Sequence, residues 1–208
     1  MQTVRILSII TVLSVLLSAD MYRPFLPKKG DTPHVLVIGV NNVRHLKQTD
    51  QAAFIESTLK LVNKVRANGC SCGVFELPPA SPFTWNDTLY NAALAHANDM
   101  LKQGYFSHTS KDGRKAADRI RQAGYTQVGF KTFTVGENIA EGQDGLKEVI
   151  ADWFKSEGHC KNLMNPKFLE LGLAQAGGYW VMEFGGRTIF SRTEQEQIKN
   201  GELKIEEK

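Results

Sequence analysis

Leu146, Val149, Ile150, Trp153 and Phe154 recur at i, i+3, i+4, i+7 and i+8 within the segment LKEVIADWFKS. Residues at those spacings share one face of an α-helix, so the segment carries an apolar stripe that must be buried against another element. Beyond Pro166, LELGLAQAGGYWVMEFGG alternates well enough to predict two strands joined by a hairpin at Gly177-Gly178. No run of βαβ units accompanies them. The expectation is therefore an α+β fold in which helices cover a small, largely antiparallel sheet. The chain has 208 residues, of which 42% are hydrophobic and 23% charged, enough to build one sizeable core with extensions.

Three further helices are predicted. Phe54, Ile55, Leu59, Val62 and Val65 lie near helical spacing before a stop at Gly69. A second helix opens at Asn86 or Asp87, both good caps, and runs to Gly104 with Leu89, Ala93, His96 and Met100 on one face. A third covers 114–122 and ends before Gly124. CSCGVFELPPASPF reads as a proline-rich connection and QVGFKTFTVGEN as extended chain. The expected division is a signal peptide or N-terminal anchor at 1–19, a linker at 20–50, a folded domain at 51–187 and a charged, solvated tail at 188–208. HVLVIGV (34–40) has the composition of a short strand but no partner nearby.

The first residues bear on the compartment. Arg5 precedes ILSIITVLSVLLSA, an apolar stretch of 14 residues ending in Ser18 and Ala19. That is short of the about 20 residues needed to span a bilayer, and it suits a secretory signal cut near Ala19. If uncut, it would anchor the chain to a membrane; either way the bulk is expected outside the cytoplasm. Cys70, Cys72 and Cys160 would then form one disulfide and leave one thiol. A Cys70–Cys72 bond would close a tight ring, so Cys160 is expected to pair with one of the two, and spacing does not choose between them. The net charge of +3 comes with no run of Lys or Arg long enough to track phosphates, which argues against a nucleic-acid partner.

The histidines differ in setting. His34 and His45 fall in the linker, and His96 on the apolar face of its helix reads as a hydrogen-bonded core residue. His108, in the polar loop YFSHTSKDG, and His159, in SEGHC just past a helix that Gly158 is expected to end, have no packing duty. Two such imidazoles from distant parts of a chain can converge on one metal. Glu137, in VGENIAEG, is a third candidate, at the end of an extended segment and pointed inward, or else an ordinary turn carboxylate. HExxH, phosphate-loop and CxxC patterns are missing. A His159–Cys160 thiol nucleophile is disfavoured because adjacent residues point apart and the thiol has a use in a disulfide.

Taken in order, AALAHANDM, FSHTSKDG, RIRQAGY, GENIAEG, DWFKSEGHCKNLMNPKFLELGLA and YWVMEFG resemble the CAP superfamily, the cysteine-rich secretory, antigen 5 and pathogenesis-related proteins that share an SCP domain. The resemblance is to its bacterial secreted members and covers about residues 55 to 186. It implies a three-layer α-β-α sandwich with a shallow cleft, and an extracellular setting. Two histidines and two acidic residues line that cleft in the family, in some members holding zinc or another divalent metal. His108, Glu137 and His159 match three of these positions. The second acidic position falls on Ser156, and Glu157 would serve only if the helix end shifts. The resemblance also implies a Cys72–Cys160 disulfide. The function expected is a secreted binding or interaction module for an extracellular protein, cell-wall fragment or lipid, with a cleft able to hold a divalent cation. The alternatives are a metal-assisted hydrolase of peptide or cell-wall material with Glu137 as general base, and a lipid- or sterol-binding protein.

Overall fold

A computed structural model describes residues 48–205. The expected leader, most of the linker, the 34–40 strand, His34 and His45 lie outside the described residues. Helix α1 (Gln48–Arg66) begins three residues inside the expected linker. A hairpin of β1 (Cys70–Cys72) and β2 (Phe75–Leu77) follows, then β3 (Thr84–Trp85) and α2 (Asp87–Gln103). Asn86 caps α2 by accepting from the backbone N–H groups of Thr88 and Leu89, and Gly104 closes it in the left-handed conformation that glycine adopts without steric cost. The chain continues through α3 (Ala116–Gln122), β4 (Thr132–Glu141), α4 (Leu146–Lys155), α5 (Glu157–Met164), β5 (Glu170–Ala176), β6 (Tyr179–Thr188) and α6 (Arg192–Lys199).

The main sheet has the order β3-β5-β6-β4; β5–β6 and β6–β4 are antiparallel and only the short β3–β5 pair is parallel. Alternation along its strands sends residues to two buried faces. Leu171 and Leu173 of β5, with Trp180, Met182 and Phe184 of β6, pack against Val62 of α1, Val149, Ile150 and Trp153 of α4 and Leu163 of α5. Ala174, Ala176, Val181 and Ile139 take the other face, under Ala93, Ala97 and Met100 of α2. Helices therefore cover both faces of the sheet, and the fold is the expected α+β sandwich in three layers.

The α2 layer sits very close. A Cβ on Gly172 would fall 2.0 Å from the Tyr90 backbone nitrogen, so only glycine lets β5 pass beneath the first turn of α2. Gly172→Ala is expected to destabilise the fold by about 1–3 kcal/mol through overpacking, read as a lower urea midpoint with an unchanged m-value. On the opposite face Arg66 is fully buried. Its guanidinium donates to the carbonyls of Ser81, Leu163, Asn165 and Phe168, tying α1 to the chain around α5.

Four local expectations are corrected. The proline-rich connection contains the β1–β2 hairpin. Glu137 lies in the middle of β4 rather than at the end of an extended segment before a helix. Gly158 does not end a helix: α4 stops at Lys155, and Gly158, His159 and Cys160 belong to the first half of α5. The charged tail contains α6, opened by a reciprocal Ser191–Glu194 capping box, although no α6 residue is buried.

Candidate functional site

Strand β4 is one edge of the sheet, and side chains of α4 and α5 bond to it. The Trp153 indole N–H donates to the Ile139 carbonyl at 3.2 Å, and Asn162 Nδ2 donates to the Glu137 carbonyl at 3.1 Å. Asn162 Nδ2 also donates to Asn138 Oδ1 at 2.9 Å, while Asn138 Nδ2 donates to the His159 carbonyl at 3.1 Å. This amide clamp fixes the α5 turn that carries His159 directly against the strand that carries Glu137. Edge carbonyls that would otherwise face solvent are satisfied by it.

His108 comes from the loop between α2 and α3. Its Nδ1–H donates to Glu137 Oε1 at 2.6 Å, and its side chain is 57% exposed while that of Glu137 is 2% exposed. The other carboxylate oxygen, Oε2, accepts from Arg119 Nη2 at 2.5 Å. Arg119, itself buried, also donates through Nη1 to the His108 and Arg114 carbonyls and to Ser110 Oγ, pinning the loop. Burial alone would raise the pKa of Glu137, but the His108 hydrogen bond and the charge of Arg119 outweigh it and hold Glu137 below the usual carboxylate range. A carboxylate on Nδ1 sets the tautomer, leaving the lone pair of His108 on Nε2.

His96 packs fully buried behind this pair, 3.8 Å from Glu137 Oε2, with Nε2 hydrogen-bonded to the Ser107 carbonyl at 2.9 Å. Burial, assisted by Arg119, pushes its pKa down, so it is a neutral core histidine, as its place on the apolar helix face predicts. Glu183, directly across the β4–β6 register from Glu137, is also fully buried. Burial and then the Glu137 charge push its pKa well up, so it holds its proton while Glu137 stays ionised. Glu183, Arg119 and the two asparagines were not anticipated. Glu183 gave a usable signal, a carboxylate inside the otherwise apolar run YWVMEF; Arg119, in a short polar helix, gave none.

A cleft of about 600 Å³ opens above this network. Phe106, His108, Glu141, Asp152, Trp153 and His159 are among the residues that line it, so both histidines singled out in the sequence reach one cavity. His159 is half-buried, and burial together with neighbouring His108 pushes its pKa down, keeping the ring neutral. Glu157 is not on the lining; Ser156 is. The Glu157 carboxylate pairs with Lys161 at 2.6 Å and lies against Gly73 in the β1–β2 turn, because α5 starts at Glu157 and turns its side chain toward the hairpin. Among the described residues, the one group of three His, Cys, Asp or Glu donors within 4.8 Å of one another is Cys70, Cys72 and Cys160, not a set in the cleft. Cys72 and Cys160 form the disulfide, and Cys70 is free.

Residues 59–184 match the family described as CAP, the cysteine-rich secretory protein family. The chain belongs to this family. Similar curated proteins are the uncharacterized protein YkwD of Bacillus subtilis, 36% identical over 108 residues, and the uncharacterized membrane protein YlbC of the same species, 32% identical over 100 residues. The matches cover 51% and 48% of this chain but only 40% and 28% of those proteins, so the CAP chain here spans less than half the length of either relative. Its fold is similar to that of an extracellular SCP-domain protein of Bacillus anthracis (TM-score 0.50, 24% identity, 68% of this chain and 44% of that one). It is also similar to an outer surface protein of Borrelia burgdorferi (TM-score 0.51, 20% identity, 68% of this chain and 95% of that one).

Proposed function

We propose that this CAP protein is a binding module that works outside the cytoplasm, with His108 and His159 holding a divalent cation such as zinc in the cleft. The observation that carries this reading is the hydrogen bond from His108 Nδ1 to the buried Glu137 carboxylate. Ligating histidines are oriented in this way, with the second ring nitrogen left free for the ion. The donor set fits a borderline-soft cation: two imidazoles, with remaining positions open to water or to the ligand. A bound cation would supply a Lewis-acid docking point for an oxygen-bearing group on that ligand. Glu137 then serves to orient His108. Both of its oxygens are engaged and it is shielded from solvent, which weighs against its use as the general base of a hydrolase. The extracytoplasmic setting is supported by the signal-like pattern of residues 1–19 and by a disulfide in a domain of this kind.

Titration calorimetry with zinc, in a Cys70→Ser background so that no free thiol competes, tests the reading. His108→Ala and His159→Ala are each expected to weaken binding at least about tenfold. Protonated rings cannot ligate, so affinity should fall as pH drops through the imidazole range, near about 6.5 for an unperturbed ring, and His159 protonates below that value because its pKa is lowered. Unchanged affinity in the double histidine variant would remove the cation from the cleft.

A further inference from the structure

Strand β1 is Cys70-Ser71-Cys72. Alternation places the two cysteines on one face and Ser71 on the other, where its hydroxyl donates to Glu76. The cysteine face meets α5, so Cys160 stands opposite both. Cys160 is bonded to Cys72, and its sulfur lies 3.7 Å from that of Cys70; the Cys70 and Cys72 sulfurs are 4.0 Å apart. Cys72 and Cys160 are fully buried with Met164, whereas Cys70 is half-buried. The odd thiol of this chain therefore touches the disulfide, in the same cluster of side chains.

We propose that Cys70 is an internal exchange thiol, so that the crosslink holding α5 has two interconverting forms, Cys72–Cys160 and Cys70–Cys160. In the step, the Cys70 thiolate attacks the Cys160 sulfur. The Cys70–Cys160 bond forms as the Cys72–Cys160 bond breaks, and Cys72 leaves as a thiolate that takes up the proton released by Cys70. One disulfide and one thiol stand on each side, so no oxidant or reductant is consumed. Attack on Cys160 is favoured over attack on Cys72 by the geometry of the strand. Residues two apart on a strand have Cα atoms about 6.6 Å apart with parallel side chains, at the far limit of disulfide geometry. Cys72 and Cys160, in contrast, have Cα atoms 5.5 Å apart across two elements.

The two forms differ in what they expose. With Cys72–Cys160 formed, the free thiol is the half-buried Cys70; with Cys70–Cys160 formed, it is Cys72 at a position now fully buried. Either way α5 stays tied to the N-terminal hairpin, so an external thiol that opened one crosslink would meet a resident cysteine able to close the other. Burial and then the charge of Glu76 on β2 raise the Cys70 pKa, so the thiolate is scarce near neutrality and exchange quickens as pH rises. On the other elements around it, Glu157 and Lys161 of α5 pair with each other, and Arg66 of α1 is held by backbone carbonyls.

The test uses the oxidised full chain, held at about pH 8.5, the ordinary thiol pKa, and quenched with acid at intervals. Free thiols are blocked with N-ethylmaleimide, the disulfide is then reduced and alkylated with iodoacetamide, and fragmentation between residues 70 and 72 locates each label. The maleimide label is expected first on Cys70 and later on Cys72 as well. It should settle with at least about a tenth on Cys72, a difference of no more than about 1.4 kcal/mol between the forms. Label confined to Cys70 at every time, or passing to Cys160, would overturn the proposal. In a second arm, Cys72→Ser is expected to oxidise in air to a Cys70–Cys160 crosslink. Two reactive thiols persisting in that folded variant would also overturn it.

Discussion

Glu137→Ala is expected to lower stability by about 3–5 kcal/mol near neutral pH, because it leaves the Arg119 guanidinium buried without its counter-charge. Arg119 keeps its contacts to two carbonyls and Ser110, but these are dipoles facing a full charge in a site closed to water. The pH dependence has a fixed sign. The Glu137 pKa is depressed in the fold, so its contribution is fully present above its unfolded value of about 4.3 and is lost as pH falls through the lower folded value. The difference between wild type and variant should therefore be largest near neutrality and shrink in acid. Chemical denaturation at several pH values reads both. Adding Arg119→Met to Glu137→Ala should recover part of the loss, since the unpaired charge goes with it; no recovery would mean that the pair is not what Glu137 stabilises. The same variant frees the His108 ring, and removal of such an orienting partner costs about 10–100-fold in metal affinity. Zinc affinity should thus fall even under conditions where the variant remains folded.

How far the sequence displays this arrangement depends on the range of the interactions involved. Helix α4 was legible because its apolar stripe is regular, and Val149, Ile150 and Trp153 are buried as the spacing requires. The β5–β6 hairpin was legible because Gly177-Gly178 separates two apolar runs. Helix α5 escaped notice because it buries only Cys160, Leu163 and Met164 and carries Gly158 in its first turn, which reads as a stop. The site divides along the same line. His108 and His159 stood out as polar rings without a packing task, and both reach the cleft. Glu137 was visible only as a carboxylate near glycines, since what buries it is Arg119, 18 residues upstream, and Glu183 on a neighbouring strand. Glu157 attracted attention by nearness in sequence to His159, yet a step of two residues on a helix turns a side chain about 200° around the axis, away from the cleft. Neighbours along the chain were the poorest guide to neighbours in the site.

Cys160→Ser should be the other large loss, about 4–5 kcal/mol in a chain-entropy account, because the Cys72–Cys160 bond closes a loop with a sequence separation of 88. For a domain of this size that corresponds to a melting temperature lower by roughly 10–15 °C. Calorimetry of the variant beside wild type reduced with dithiothreitol separates crosslink from packing. If the crosslink carries the effect, the two should melt together; if the fully buried Cys160 sulfur matters chiefly as packing, reduced wild type should stay well above the variant. The consequence for the cleft should be smaller than for stability. His159 is adjacent to Cys160, but its backbone is also held by Asn138, and α5 by Asn162 and by Arg66 on the Leu163 carbonyl. Those contacts persist while the domain is folded, so below its lowered melting point the Cys160→Ser variant, with Cys70 and Cys72 also changed to Ser so that no thiol competes, should bind zinc in the cleft nearly as tightly as the Cys70→Ser protein. Asn138→Ala should invert the pattern, losing more in affinity than in melting temperature, because it removes the hydrogen bond to the His159 carbonyl while Asn162 still ties α5 to the Glu137 carbonyl.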